Sequence, residues 1–157
     1  MRYATLLCTA VFLSACADAG ETEDMAADTI PADAPAAESI SLADVAGTWA
    51  MQVMPMDRDT ALASQILWAT EDPAGWKTLF DGQMDTISIR VSTSGDSIPY
   101  EFGPYSSAVR SDVTVIVTGA YSLDDSGRLV STAIGHYTLP GADSVQSFRT
   151  VGTRVVE

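Results

Sequence analysis

The sequence predicts an all-β protein whose folded part is an eight-stranded antiparallel up-and-down barrel. From about residue 42, short runs rich in valine, isoleucine, threonine and aromatic residues follow one another along the chain. Turn-forming residues separate these runs, so that consecutive strands are joined by short links and pair antiparallel. The runs around Ile89 and Val115 alternate apolar and polar residues, as strands with one buried face do. Closing such a sheet into a barrel removes its exposed edges.

Each predicted strand ends at a break that contains proline, glycine or aspartate, the residues that favour tight turns. The eight strands are predicted at residues 47–54, 61–70, 75–80, 86–93, 97–102, 113–123, 128–138 and 144–155. Helical periodicity is weak throughout, because no segment repeats apolar residues at a period of 3.6. The best helical candidates are residues 57–65 and a single turn at 42–46.

Residues 1–15 have the features of a bacterial signal peptide. Arg2 precedes a short apolar run that is too short to cross a bilayer, which takes about 20 residues. The run ends in Leu13-Ser14-Ala15-Cys16, which resembles the lipobox of bacterial lipoproteins. The resemblance implies cleavage before Cys16, lipid attachment to its thiol and, because Ala17 rather than Asp follows, an outer-membrane address. An ordinary secretory leader with a chance cysteine is the alternative.

Residues 16–41 are predicted to form a lipidated cysteine followed by a disordered, acidic tether. This segment is rich in alanine and proline, and residues 17–41 hold seven acidic side chains and no basic one. Such a composition buries too little apolar surface to offset the entropy of ordering the chain. We expect the tether to hold the domain at residues 42–157 away from the membrane. Binding of calcium or of a cationic partner by the acidic run is the alternative.

The charge of the chain argues against nucleic acid as a partner. After removal of the leader, 7 basic side chains would face 21 acidic ones. Nucleic-acid binding requires lysine and arginine to neutralise phosphates, and anionic headgroups would be repelled for the same reason. Of the two cysteines, Cys8 would leave with the leader and Cys16 would carry lipid. The mature domain is therefore expected to contain no disulfide and no zinc-thiolate site.

The start of the domain resembles the lipocalin and calycin superfamily. The stretch from Leu42 to Trp49 contains a short turn followed by Gly-x-Trp, as at the first strand of that family. The resemblance implies that Trp49 plugs one end of the barrel and that an arginine of the last strand, Arg154 or Arg149, covers it. The family's Thr-Asp-Tyr motif, its long first loop and its C-terminal helix have no counterpart here.

The three methionines near residue 54 and the single histidine are candidates for a metal or catalytic site. Met51, Met54 and Met56 carry the soft thioether that copper(I) prefers, but Met51 and Met54 fall on opposite faces of one strand, which favours packing. His136 is the single histidine, and no Gly-x-Ser-x-Gly elbow accompanies it, so that a satisfied strand residue is favoured over a catalytic one. We therefore predict no catalytic residue, no metal site and no cofactor.

Two aspartate pairs could suggest calcium. Neither lies in a twelve-residue loop with a central glycine and a closing glutamate. The second pair is followed by Ser-Gly, a sequence typical of a hairpin turn, which favours the turn interpretation. The pairs are Asp57 with Asp59 and Asp124 with Asp125.

Aromatic residues and an arginine gather around a Gly-Pro break at residues 100–110. We predict that Tyr100, Tyr105 and Arg110, together with Trp68 and Trp76, contact a small ligand at the mouth of the barrel. Simple packing of the barrel end by these aromatics is the alternative.

Three functions remain open at this point. The first is a non-enzymatic lipoprotein of the cell envelope, anchored by lipid, that binds a small apolar or amphipathic ligand. The second is a structural or interaction module with a filled barrel that docks an envelope protein. The third, an enzyme, needs polar groups that converge in a cleft, such as His136 with Glu101.

Overall fold

The computed structural model of the chain describes residues 39–156, apart from the side chains of residues 142 and 143. Within this range the predicted fold is confirmed: eight antiparallel strands close into one barrel in the order β1 to β8. The predicted leader at 1–15, the lipid site Cys16 and the tether up to residue 38 lie outside the described residues. Within them, no helix is long and apolar enough to cross a membrane.

The strands have these bounds: β1 Gly47–Pro55, β2 Ala63–Ala69, β3 Lys77–Phe80, β4 Ile87–Val91, β5 Ile98–Ser106, β6 Thr114–Leu123, β7 Leu129–Tyr137 and β8 Val145–Arg154. Every strand pairs with its sequence neighbours, and β1 pairs with β8 to close the barrel. Alternate residues point inward, as the period of two requires.

The turn predicted before the first strand is a short helix, α1, at Leu42–Val45. Ser41 caps it, since its side chain accepts a hydrogen bond from the Asp44 amide while the Asp44 carboxylate accepts one from the Ser41 amide. The other helical candidate, residues 57–65, was wrong: it contains no helix, and β2 begins within it. Two single-turn 3-10 helices at Pro73–Gly75 and Gly141–Ser144 were not predicted.

Two strand boundaries need correction. The break predicted at Gly103-Pro104 does not end β5, which continues to Ser106 with a shift of register between Phe102 and Tyr105. A bulge is one of the few places where a strand accepts proline, which has no amide hydrogen to donate. The predicted start of the third strand at Gly75 was also early, because Asp72 caps the 3-10 helix that occupies this position.

The two ends of the barrel differ. At the capped end lie α1 and the links 70–76, 92–97 and 124–128. At the mouth end lie the links 56–62, 81–86, 107–113 and 138–144. Of the neighbouring strands, β3 and β4 share the fewest register pairs, Lys77 with Ser88 and Thr78 with Ile87.

Candidate functional site

The capped end is closed by Trp49, which is fully buried. Its indole nitrogen donates a hydrogen bond of 2.8 Å to the carbonyl of Val45 in α1. The guanidinium carbon of Arg154 lies 4.4 Å from the centre of the Trp49 ring. Arg154 also donates hydrogen bonds to the carbonyls of Ala46 and Asp44. One cation thus holds the ring and satisfies carbonyls at the end of α1, which the short helix cannot satisfy itself.

Gly47 and Arg149 show why the residue that covers Trp49 is Arg154. Gly47 has a φ of +143°, and a Cβ there would lie 2.5 Å from the Arg154 guanidinium, so only glycine fits. Arg149, the other candidate cover, lies elsewhere: its side chain pairs with Asp59 and donates to the carbonyl of Arg58 in the link between β1 and β2. The arginine over Trp49 is therefore Arg154.

The interior of the barrel is filled by aromatic rings. The Tyr100 ring stacks on Tyr121 at 4.1 Å between centroids and on Phe102 at 5.9 Å. Nearer the mouth, Phe80 stacks on Tyr105 at 5.4 Å. The cavity that these side chains leave has a volume of about 30 Å³. A pocket for a small organic ligand is typically about 300–1,000 Å³.

Inward-facing glycines give these rings their room. Gly119 on β6 lies opposite Tyr100 on β5, and a Cβ on Gly119 would come within 2.6 Å of the tyrosine oxygen. The ring therefore lies flat across β6, and its hydroxyl reaches Ser131 on β7 at 2.7 Å. Gly152 leaves room in the same way for the thioether of Met51. The interior is tightly packed because small and large residues face each other.

Burial of the tyrosines changes their acidity. Loss of solvation raises the pKa of Tyr100 to about 12 and raises the pKa of Tyr121 well above its usual value. The pKa of Tyr105 and that of Tyr137 are raised for the same main reason. Burial therefore favours the neutral form of all four rings.

A small number of polar groups lie among the rings. Thr78 donates hydrogen bonds of 3.0 Å to the Gln65 side chain and to the carbonyl of Ile66. Ser131 and Tyr100 satisfy each other. Thr150 is also buried, and its hydroxyl has no hydrogen-bond partner among the described residues. The sequence does not distinguish polar side chains at inward strand positions from those of ordinary sheet residues, so the four buried polar residues, Gln65, Thr78, Ser131 and Thr150, were not predicted.

The structure does not bring the five predicted ligand contacts together. Tyr100 and Tyr105 line the interior cavity, and Arg110 lies over the ring of Tyr137, which also lines it. Trp76 is fully buried and donates its indole hydrogen to the carbonyl of Thr70 in a link at the capped end. Trp68 alternates with the buried residues of β2, and Lys77 lies 5.3 Å from its ring centre. Contact of these residues with a ligand stays a prediction.

A larger concavity lies on the outer face of β8, β1, β2 and β3, and we call it the outer groove. Its volume is about 620 Å³, and its lining includes the apolar side chains of Ala50, Ile66, Leu79 and Val151. Polar residues of its lining include Gln52, Ser64, Asp81, Gln83, Arg128 and Thr153. Arg128 forms an ion pair with Asp124, which also accepts hydrogen bonds from the backbone amides of Ser126 and Arg128. The sequence signal for the groove is faint: small residues at outward positions of neighbouring strands.

Glu101 and His136, the pair considered as an enzyme's polar groups, lie apart. Glu101 on β5 pairs with Arg90 on the outer surface. His136 on β7 is exposed between Ile116 and Val145, its register partners, and strand β6 separates it from β5. Among residues 39–156, no cluster of three or more histidine, cysteine or acidic side chains is arranged to hold a metal ion. Met51 and Met54 are both buried, while Met56 is exposed.

Comparison with known proteins assigns no family to the chain. No family model matches the chain. No curated protein and no solved structure shows significant similarity to it.

Proposed function

We propose that the protein is a non-enzymatic lipoprotein of the cell envelope, anchored through Cys16, whose filled barrel acts as an interaction module. An interaction module with a filled barrel is thus preferred to a barrel that binds a small apolar ligand in its interior. The preference depends on one observation, the interior volume of about 30 Å³. An acyl chain or a similar apolar ligand does not fit into that space, so that the recognition surface is on the outside of the barrel.

The outer groove is the surface best suited to this contact. Its floor of alanine, isoleucine, leucine and valine side chains offers apolar area, and hydroxyl, amide, carboxylate and guanidinium groups line its polar part. Protein interfaces share this division between an apolar centre and a polar rim. The domain carries 7 basic and 14 acidic side chains over residues 42–157, which favours a partner with a basic surface.

Photo-crosslinking in intact cells tests this proposal. A photoreactive amino acid at Gln52, an exposed residue of the groove, should give a discrete cross-linked partner protein. The same amino acid at Thr118, which lies on β6 outside the groove, serves as the control. A partner captured at Gln52 and not at Thr118 supports the proposal. Equal capture at both positions, or at neither, contradicts it.

A second candidate follows from the size of the groove, since about 620 Å³ lies within the range of small-molecule pockets. In this alternative a small amphipathic ligand occupies the groove and not the interior. Ala50→Trp fills the groove from an exposed position and should abolish binding of a fluorescent fatty acid, whereas Thr118→Trp should not. If the wild-type protein does not bind the probe, this second candidate fails.

A further inference from the structure

The interior cavity combines three observations that point to a bound molecule. The side chain of Thr150 faces inward from β8, is 4% exposed, and lines the cavity. Its hydroxyl oxygen is inaccessible and has no hydrogen-bond partner among residues 39–156. The cavity of about 30 Å³ is large enough for a water molecule, which needs roughly 10–15 Å³ of such space.

The lining of the cavity includes polar side chains besides Thr150. Thr150 pairs in register with Ser131 on β7, whose hydroxyl is already bonded to Tyr100. Gln65 also lines the cavity, and its carbonyl accepts from Thr78. The remaining lining is largely apolar and includes Val117, Ala133 and Phe148. A buried hydroxyl that lacks a partner is costly, and buried water is the usual means by which proteins satisfy such a group.

We propose that this cavity is a specific site for ordered water, bonded to the hydroxyl of Thr150 and to the polar groups of Gln65 and Tyr100, which also line it. The water would join Thr150 on β8 to Tyr100 on β5, whose hydroxyl is also bonded to Ser131 on β7. The ligand class is water, because the space is too small for an organic molecule. The proposal goes beyond the proposed function and does not depend on it.

Magnetic resonance of the full chain, purified from membranes in detergent, tests the site. Cross-peaks between water and the methyl groups of Thr150, Val117 and Ala133 should appear with the sign of a long-lived bound molecule. Thr150→Val keeps the shape of the side chain and removes the hydroxyl, so that these cross-peaks should be lost. Thr150→Ser keeps the hydroxyl, and the cross-peaks to Val117 and Ala133 should remain.

The denaturant concentration at the midpoint of unfolding gives an independent test. Thr150→Val should change it in opposite directions depending on whether the Thr150 hydroxyl is bonded to water. If water bonds Thr150, Thr150→Val removes a satisfied group and should lower the midpoint. If the hydroxyl is unsatisfied, the same substitution removes a buried polar group at no loss and should raise the midpoint. A raised midpoint, or the absence of water cross-peaks in the wild-type protein, would overturn the proposal.

Discussion

Trp49 and Arg154 are register partners at the seam where the first and last strands close the barrel. Because the arginine covers the indole and bonds two carbonyls at the end of α1, the seam and the cap depend on the same side chain. The contact joins residues from the two ends of the domain. It belongs to the pairing of β1 with β8, which closes the barrel.

Arg154→Ala should destabilise the domain by about 1–3 kcal/mol, since it removes a cation–π contact and two hydrogen bonds. Arg154→Lys should recover part of this loss. Equilibrium denaturation followed by tryptophan fluorescence measures the effect. Arg90→Ala, which breaks an exposed ion pair with Glu101, is the matched control and should cost less than about 1 kcal/mol. Equal losses for Arg154→Ala and the control would contradict the role of Arg154.

Gly119→Ala should destabilise the protein by about 1–3 kcal/mol, the usual cost of overpacking a core. The added methyl group would meet the Tyr100 ring and the carbonyl of Thr132, both within 2.7 Å. Thermal unfolding compared with that of Thr118→Ala, on the same strand but facing outward, measures the difference. If Gly119→Ala were as stable as the wild type, the interior would have more free space than the structure shows.

The buried tyrosines predict unfolding at alkaline pH. Burial raises the pKa of Tyr100 to about 12, so the fold favours the neutral ring. The stabilisation that comes from the neutral Tyr100 ring is complete below pH 10.0, the ordinary pKa of tyrosine. It is lost as the pH rises through about 12, the pKa of Tyr100 in the folded protein. A shift of this size corresponds to about 3 kcal/mol.

We therefore expect tyrosinate absorbance to appear only as circular dichroism shows loss of the fold. Tyr100→Phe should make stability less dependent on pH in this range. Titration of all the tyrosines near pH 10 in a protein that remains folded would contradict the packing of the interior.

Cys16→Ser should move the protein from the membrane fraction to the soluble fraction and abolish labelling by a radioactive fatty acid. Attachment by two or more acyl chains is effectively stable, whereas the domain, with 7 basic and 14 acidic side chains over residues 42–157, would be repelled by anionic headgroups. Cys8→Ser, which changes the other cysteine of the chain, is the control and should leave labelling and location unchanged. A lipid-labelled, membrane-bound Cys16→Ser protein would disprove the anchor.

The fold was predictable because its signals are local. The alternation around Ile89 and Val115 and the Asp-Gly and Pro-Gly breaks depend on period and turn chemistry, which a single sequence displays. The exception at Gly103-Pro104 is instructive, because a bulge and a turn use the same residues. Which of the two forms depends on pairing with β6, a contact distant in the sequence.

The site was much less predictable. The sequence showed that aromatic residues gather at 100–110 but not whether their rings fill the barrel or rim it. The difference is decided by Gly119, which lets Tyr100 lie across the interior. Trp68 shows the other difficulty: its position in β2 places it on the outer face, and an error of one residue in register would reverse that.

Native mass spectrometry of the protein extracted from membranes tests the central claim, a filled barrel that acts through its outer surface. We predict the mass of the lipidated polypeptide with no additional organic molecule. An occupant of the outer groove would be lost in Ala50→Trp. A bound apolar molecule that persists in Ala50→Trp would occupy the interior, and would contradict the claim.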